Sequence, residues 1–245
     1  MNPFMNIDKT LIVDADSICF IAAYNADKDT LPEEFFNGDR EEEILRLGKE
    51  YGLTHIKSLL DSTGCESAEL YFTSGRECFR YQVDPTYKAN RKGKPAPVGI
   101  NDIKKYLHSL YPGEICIAYE ADDICVYRGK QNNTLLTAID KDVIYQTVGT
   151  HYNYKKNEYI TVTRKEADKF LWVQMIQGDT VDGIYGIEGM GKVKANKFLD
   201  EVKDYEKAVL ELYKSKGKSK AEFMSNLNLL DMNLLQKDGS IRLRI

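Results

Sequence analysis

Apolar positions along this chain follow two rhythms. Four short runs, TLIVDAD (10–16), AELYFTS (68–74), EICIAYE (114–120) and TLLTAID (134–140), have the length and the apolar, partly β-branched content of buried strands. Helical spacing fills the intervals between them, over about 40–61, 100–111 and 121–130. Strands alternating with helices predict a mostly parallel sheet with helices on its faces. HYNYKK and EYITVT, joined around Asn157, predict a hairpin. Beyond the hairpin, Ala167, Phe170, Leu171, Gln174, Met175 and Gln177 keep a spacing of three and four. They predict a helix from about Arg164 to Gln177, a second from about Lys192 to Glu201, and helical structure on to about 232. KSKGKSKAEF, within that stretch, is expected to be an exposed basic connector. The expected division is an α/β core over 1–163, carrying a short basic clamp near 80–100, and a helical region over 164–245.

The two C-terminal helices flank a glycine-rich stretch, GDTVDGIYGIEGMGKVKANKFL. Gly186 to Lys192 has the G-x-x-x-x-G-K spacing of a nucleotide-binding loop, but the next residue is Val193. That loop needs a Ser or Thr hydroxyl there to hold Mg²⁺, and it follows a strand rather than a helix. The stretch is instead a turn between helices. Such a turn can offer backbone N–H groups and a helix N-terminus to a phosphate, or simply connect.

Carboxylates add the next constraint. Three of the predicted strand runs end in an acid: Asp14, Glu120 and Asp140. Functional groups in an open α/β sheet gather outside the carboxyl ends of its strands, so these three should converge. Asp16, Asp122, Asp123 and Asp142 follow closely, and Asp179 and Asp182 open the glycine turn. Clustered acids repel one another unless protonated or neutralised by cations. Oxygen-only donors point to Mg²⁺ or Mn²⁺, which in pairs hydrolyse phosphodiesters. The competing reading is that these acids cap helices, a role that suits Asp122 and Asp123. FRYQVDPTYKANRKGKP (79–95) interleaves Arg80, Tyr81, Tyr87, Lys88, Arg91, Lys92 and Lys94. Aromatic faces can stack on bases while the cations hold phosphates; the alternative is a solvated loop.

Composition narrows the class. The chain has 245 residues, 42% hydrophobic and 29% charged, enough for one globular domain with an ample core. Its net charge of −4 argues weakly against nucleic acid, but the basic residues crowd into 76–105 and 192–220. Five cysteines form no CxxC pair, and three histidines have no ligand spacing, so reduced thiols and no zinc site are expected. Neither a signal peptide nor a membrane-length apolar stretch is apparent, which predicts a cytoplasmic protein without membrane association.

In order along the chain, LIVDAD, YKANR, YEADD, AIDKD and QGDTVDGIYGIEGMGKVKA resemble the motifs of the 5′-nuclease or flap-endonuclease family. The similarity is greatest to its phage- and bacterial-type 5′→3′ exonucleases, including RNase H-like phage members. It runs from Asp14 to Lys197 and leaves 25–65 and the tail after about 200 unmatched. The resemblance implies a PIN-like, mixed, largely parallel sheet with a helix–three-turn–helix region that binds duplex DNA. It implies two Mg²⁺ or Mn²⁺ ions, with Asp14, Glu120 and Asp122 matching the ligands of one. Asp142, Asp179 and Asp182 match those of the other, with Asp123 and Asp140 alongside, acting through water. Lys88 matches the catalytic lysine at the scissile phosphate. Arg80 and Arg91 match phosphate-binding positions, Arg91 beside the chemistry, and Tyr87 a position that stacks on the terminal base. Lys92 and Lys94 extend the basic clamp. Gly186, Gly189 and Gly191, with Lys192 and Lys194, match the turn that holds the duplex backbone, often with K⁺. The implied substrates are DNA with a 5′ flap or 5′ end and RNA–DNA hybrid, cut by a monomer during primer or flap removal beside replication proteins. Its place would be the cytoplasm, the host's if a phage encodes it.

Three departures qualify this. Thr73 stands where the family has an aspartate after its second strand, and Asp16 is the candidate substitute. The span from Lys88 to Glu120 is short for a threading arch, and Gly183 replaces an asparagine of the signature. A structure-specific DNA-binding relative without catalysis is the alternative function, and a single-strand RNase of a related toxin-like fold a third.

Overall fold

The computed structural model describes residues 8–245 apart from Asn37, Lys92 and Lys94. A six-stranded sheet forms from β1 (Thr10–Asp14), β2 (Ser67–Thr73), β3 (Gly113–Cys116), β4 (Thr134–Thr137), β5 (Gly149–Asn153) and β6 (Glu158–Val162). Their order is β3-β2-β1-β4-β5-β6. The first five are parallel, and β6 returns antiparallel to β5 as the hairpin expected around Asn157. Asn157 takes a left-handed backbone at φ 53°, which Asn tolerates better than most residues.

β1 is central and reads as an unbroken apolar run because both its faces are covered. Leu11 and Val13 face one core with α1 (Asp16–Asp29), α2 (Arg40–Thr63) and α4 (Ile100–Leu110). Ile12 faces a second core with α5 (Ala121–Gly129) and α6 (Lys141–Tyr145). In the first core, α4 comes very close to α2. A Cβ at Gly48 would lie 2.5 Å from Ile103 Cδ1, and one at Gly52 would lie 3.2 Å from Leu107 Cδ1. The two glycines, one turn apart, thus let α4 pack closely on α2.

A third core joins α7 (Arg164–Gln177), α8 (Lys192–Asp200), α9 (Tyr205–Ser215) and α10 (Lys220–Leu230) around Met175, Tyr213 and Phe223. α7 bridges two cores: Ala167 packs against the sheet and Leu171 against the helices. A short α3 (Arg80–Val83) and a two-stranded ribbon, β7 (Gly178–Asp179) with β8 (Ile184–Tyr185), complete the elements used below.

Four local expectations need correction. β3 stops at Cys116 and β4 at Thr137, short of the acids. Glu120 and Asp140 are instead the N-caps of α5 and α6. A helix, α1, begins immediately after β1, where the sequence pattern marked none. The basic connector is shorter than expected: Ser219 and Glu222 form a capping box, so Phe223 is a buried residue of α10. Among the described residues no helix is long and apolar enough to cross a membrane.

Candidate active site

Three strand-to-helix junctions deliver the acids. Chain reversal after β1, β3 and β4 leaves Asp14, Glu120 and Asp140 at the same edge of the sheet, outside the carboxyl ends of its parallel strands. A cleft of about 510 Å³ opens there, lined by Asp122, Asp140, Asp142, Asp179 and Asp182 together with Lys88 and Arg91. Leu229 and Met232, at and beyond the end of α10, complete its wall.

The acids in the cleft press on one another. Burial first, then Asp16 and Asp140, push the Asp14 carboxyl up to about 7. Burial, then Asp14 and Asp140, hold Asp122 well above the usual carboxylate range. Burial and then Asp140 raise Asp142 to about 6, although Lys141 opposes them. Burial also raises Asp182 against the pull of Lys88 and Arg91. Glu120 is the exception. Burial pushes it up, but Lys88 and Arg80 outweigh burial and leave it below its ordinary value. Asp140 accepts the Asp142 N–H at 2.7 Å, so it caps α6 and charges the cleft at once.

The basic stretch folds over this cleft. Lys88 adopts a left-handed backbone at φ 53°, a strained conformation for lysine, and its N–H donates to the Asp182 carbonyl at 2.9 Å. Its ammonium lies 2.6 Å from Glu120 and 3.7 Å from Asp182. Arg91 pairs with the other oxygen of Asp182. Asn90 donates to the carbonyls of Thr180 and Val181 at 3.1 and 2.9 Å, which pins the stretch to the glycine turn. The turn itself is tight. A Cβ at Gly186 would lie 2.3 Å from the Ile176 carbonyl oxygen and 2.4 Å from the Gly178 nitrogen. Gly189 and Gly191 lead into α8, where Lys192 and Val193 are exposed and Lys194 donates to the Gly189 carbonyl at 2.8 Å.

Arg80 and Tyr87 border the cleft but are almost wholly buried. Arg80 is buried at 1% exposure and makes a two-pronged pair with Asp123 at 2.6 and 2.7 Å. Its third contact is the Leu229 carbonyl at 2.9 Å. Arg80 therefore faces protein rather than phosphate, and Asp123, fully buried on Arg80, has no oxygen free for a cation. Asp123 also accepts the Glu120 N–H at 3.0 Å, closing the capping box of α5. Tyr87 is buried as well. Its ring packs edge-on against Tyr81, and its hydroxyl donates to Glu120 at 2.9 Å and to Asp182 at 3.2 Å. It positions acids and offers no open face to a base. Lys92 and Lys94 lie outside the described residues.

Two lysines that sequence reasoning passed over belong here. Lys141 lies 2.6 Å from Asp142 and 4.0 Å from Asp179; its place between two aspartates in D-K-D was the available signal. Lys104 reaches the end of β2 from α4 and pairs with Asp16 at 2.6 Å. Nothing in its helical surroundings marks it in the sequence. Asp16 thus turns towards Thr73 and Lys104 and away from the cleft.

The donor set fits hard divalent ions. It is all carboxylate, mutually repelling and faced by no imidazole or thiolate in the cleft lining. Among the described residues no three His, Cys, Asp or Glu side chains already stand as a closed ligand shell.

No family model matches the chain. It is 28% identical over 189 residues to DNA polymerase I of Caldicellulosiruptor bescii, covering 66% of this chain and 21% of that protein. It is 30% identical over 165 residues to the exodeoxyribonuclease of Enterobacteria phage T3, covering 61% and 53%. The chain thus spans about half or less of the length of these relatives. Among solved structures, the D15 protein of phage T5 co-crystallised with metal ions matches with a TM-score of 0.68 at 18% identity, covering 91% of this chain and 89% of that one. A complex of the same T5 flap endonuclease with DNA and metal ions matches at 0.66. The fold is that of the T5 5′-exonuclease, with its largely parallel sheet and helical C-terminal region.

Proposed function

We propose that this chain is a divalent-metal-dependent 5′→3′ exonuclease or flap endonuclease acting on DNA or RNA–DNA hybrid. One observation carries the reading: acids from two strand–helix junctions and the glycine turn line one cleft with Lys88, and Asp14, from a third junction, presses on Asp122 and Asp140 from behind them. Both phage relatives named above bear exonuclease or flap-endonuclease names, and the T5 complex holds DNA and metal ions.

Asp14, Glu120 and Asp122 would hold one Mg²⁺ or Mn²⁺, and Asp142, Asp179 and Asp182 a second. When bound, the ions supply water activation and neutralise charge on the leaving oxygen. The protein's own residues do the rest. Asp140 fixes the start of α6 so that Asp142 points into the cleft. Tyr87 orients Glu120 and Asp182 through its hydroxyl. Lys88 and Arg91, paired with Glu120 and Asp182, stand where their positive charge would meet the charge that builds on a scissile phosphate. Gly186 to Lys194 offers backbone N–H groups and exposed lysines to the duplex strand, with K⁺ as an accessory ion at the turn. The short stretch between Lys88 and α4 favours an end or a flap held loosely over a threaded strand.

Thr73 in place of an acid is the observation that favours a binder without catalysis. The deciding experiment is cleavage of a 5′-labelled flapped duplex with Mg²⁺, Mn²⁺ or EDTA, beside Asp140→Asn and Asp182→Asn. Metal-dependent release of short 5′ products, abolished in both variants while DNA binding persists, is expected. Tight binding with no cutting in either metal assigns the chain to the binders.

A further inference from the structure

Lys104 closes a ring of polar contacts at the end of β2. Its side chain is only 14% exposed, and its ammonium pairs with Asp16 at 2.6 Å and donates to the Thr73 carbonyl at 2.8 Å. Asp16 accepts the Thr73 N–H on both its oxygens, at 3.2 and 3.0 Å. The Thr73 hydroxyl oxygen accepts the Ala121 N–H at 2.9 Å. Ala121 opens α5, beside Glu120 and Asp122, and Asp16 opens α1, beside Asp14. One ring therefore ties together the starts of two helices that carry cleft acids. Both Asp16 oxygens are already committed, one of them to a close ammonium, and a charge so paired is a poor ligand for a second cation.

We propose that Lys104 is a positioning residue whose ammonium is a built-in cation: it holds Asp16 out of the metal cleft and, through Thr73, fixes α1 and α5 against β2. This rests on the nuclease reading of the cleft. It explains how the chain does without an acid at Thr73: the place beside Asp16 is filled by a lysine instead of a metal ion.

The test is Mn²⁺ binding to the metal-free full chain, read from the electron paramagnetic resonance signal of free Mn²⁺. Parent, Asp16→Asn, Lys104→Arg, Lys104→Met and the Lys104→Met, Asp16→Asn double variant are compared. Asp16→Asn and Lys104→Arg should bind as many Mn²⁺ ions as the parent. Lys104→Met should gain one equivalent, and the double variant should lose it. Loss of an equivalent in Asp16→Asn alone overturns the proposal, and that arm does not depend on Lys104→Met folding. An unchanged stoichiometry in folded Lys104→Met overturns it too. Cleavage of the flapped duplex by the parent runs alongside. If the parent binds Mn²⁺ and cuts while these arms fail, only Lys104's role falls; a parent that binds no Mn²⁺ overturns both.

Discussion

Asp14 links the cleft to the stability of the whole chain. Its carboxyl titrates near 7 in the fold and near 3.8 when free, so between about pH 4 and 7 the folded state holds more protons than the unfolded one. Stability from this group is complete below that window and is lost as pH rises through 7. Asp142, raised to about 6, adds the same sign. Glu120, lowered, acts oppositely only below its ordinary value of 4.5, and His55 and His151, lowered by burial, oppose that sign near pH 6, but the raised acids, which include Asp122 and Asp182, outnumber them. The metal-free chain should therefore melt at a lower temperature at pH 8 than at pH 5 in EDTA. Saturating Mg²⁺ should raise the pH 8 value more, as followed by circular dichroism. Arg80 makes a second residue-scale prediction. Arg80→Met strands Asp123 as a buried, unpaired charge and should cost about 3–5 kcal/mol in urea unfolding. A phosphate-binding arginine would lose DNA affinity instead, with stability unchanged. The sequence marked Arg80 by charge and neighbours alone, and neither tells a buried arginine from an exposed one. Lys88 was legible because its YKANR setting is distinctive; Lys104 was not, since its partners lie 31 and 88 residues away along the chain.

Among the elements, the glycine turn is the most constrained. Gly186→Ala would drive a methyl group into backbone on two sides, and neither side can yield by rotating a side chain. We expect a loss of about 3 kcal/mol, at the upper end for overpacking, together with loss of duplex binding. Calorimetry and a binding titration read the two. Helices with strong periodicity, such as α2, α4 and α7, fall within a residue or two of their expected bounds. The strand ends were misplaced for one reason: an apolar run cannot show where pairing stops and a capping acid begins. Glu120 and Asp140 are N-caps, and Asp140 lines the cleft as well, so a capping role does not by itself take an acid out of the cleft. α1 was missed because its alanine-rich face carries little apolar contrast, although Ala22, Ala23 and Ala26 are all buried.

The whole molecule carries a net charge of −4 yet separates its signs. Acids line the cleft, while exposed lysines follow the glycine turn and the start of α8. DNA affinity should thus fall steeply with salt, log K against log [salt] losing about 0.9 per phosphate neutralised. Fluorescence anisotropy between low and physiological salt reads that slope; a flat line would remove the basic face from binding. One bond described above also bears on how the chain comes into being. Arg80 grips the carbonyl of Leu229, 149 residues further on, and Leu229 lines the cleft. Contacts of such separation form late, because a long loop must close before they repay its entropy. During synthesis, when the N-terminal part folds first, the sheet edge and its acids are in place while that wall is still unmade. The closed cleft is thus a product of the last steps of folding, and a half-made chain emerges with its acids but without that wall.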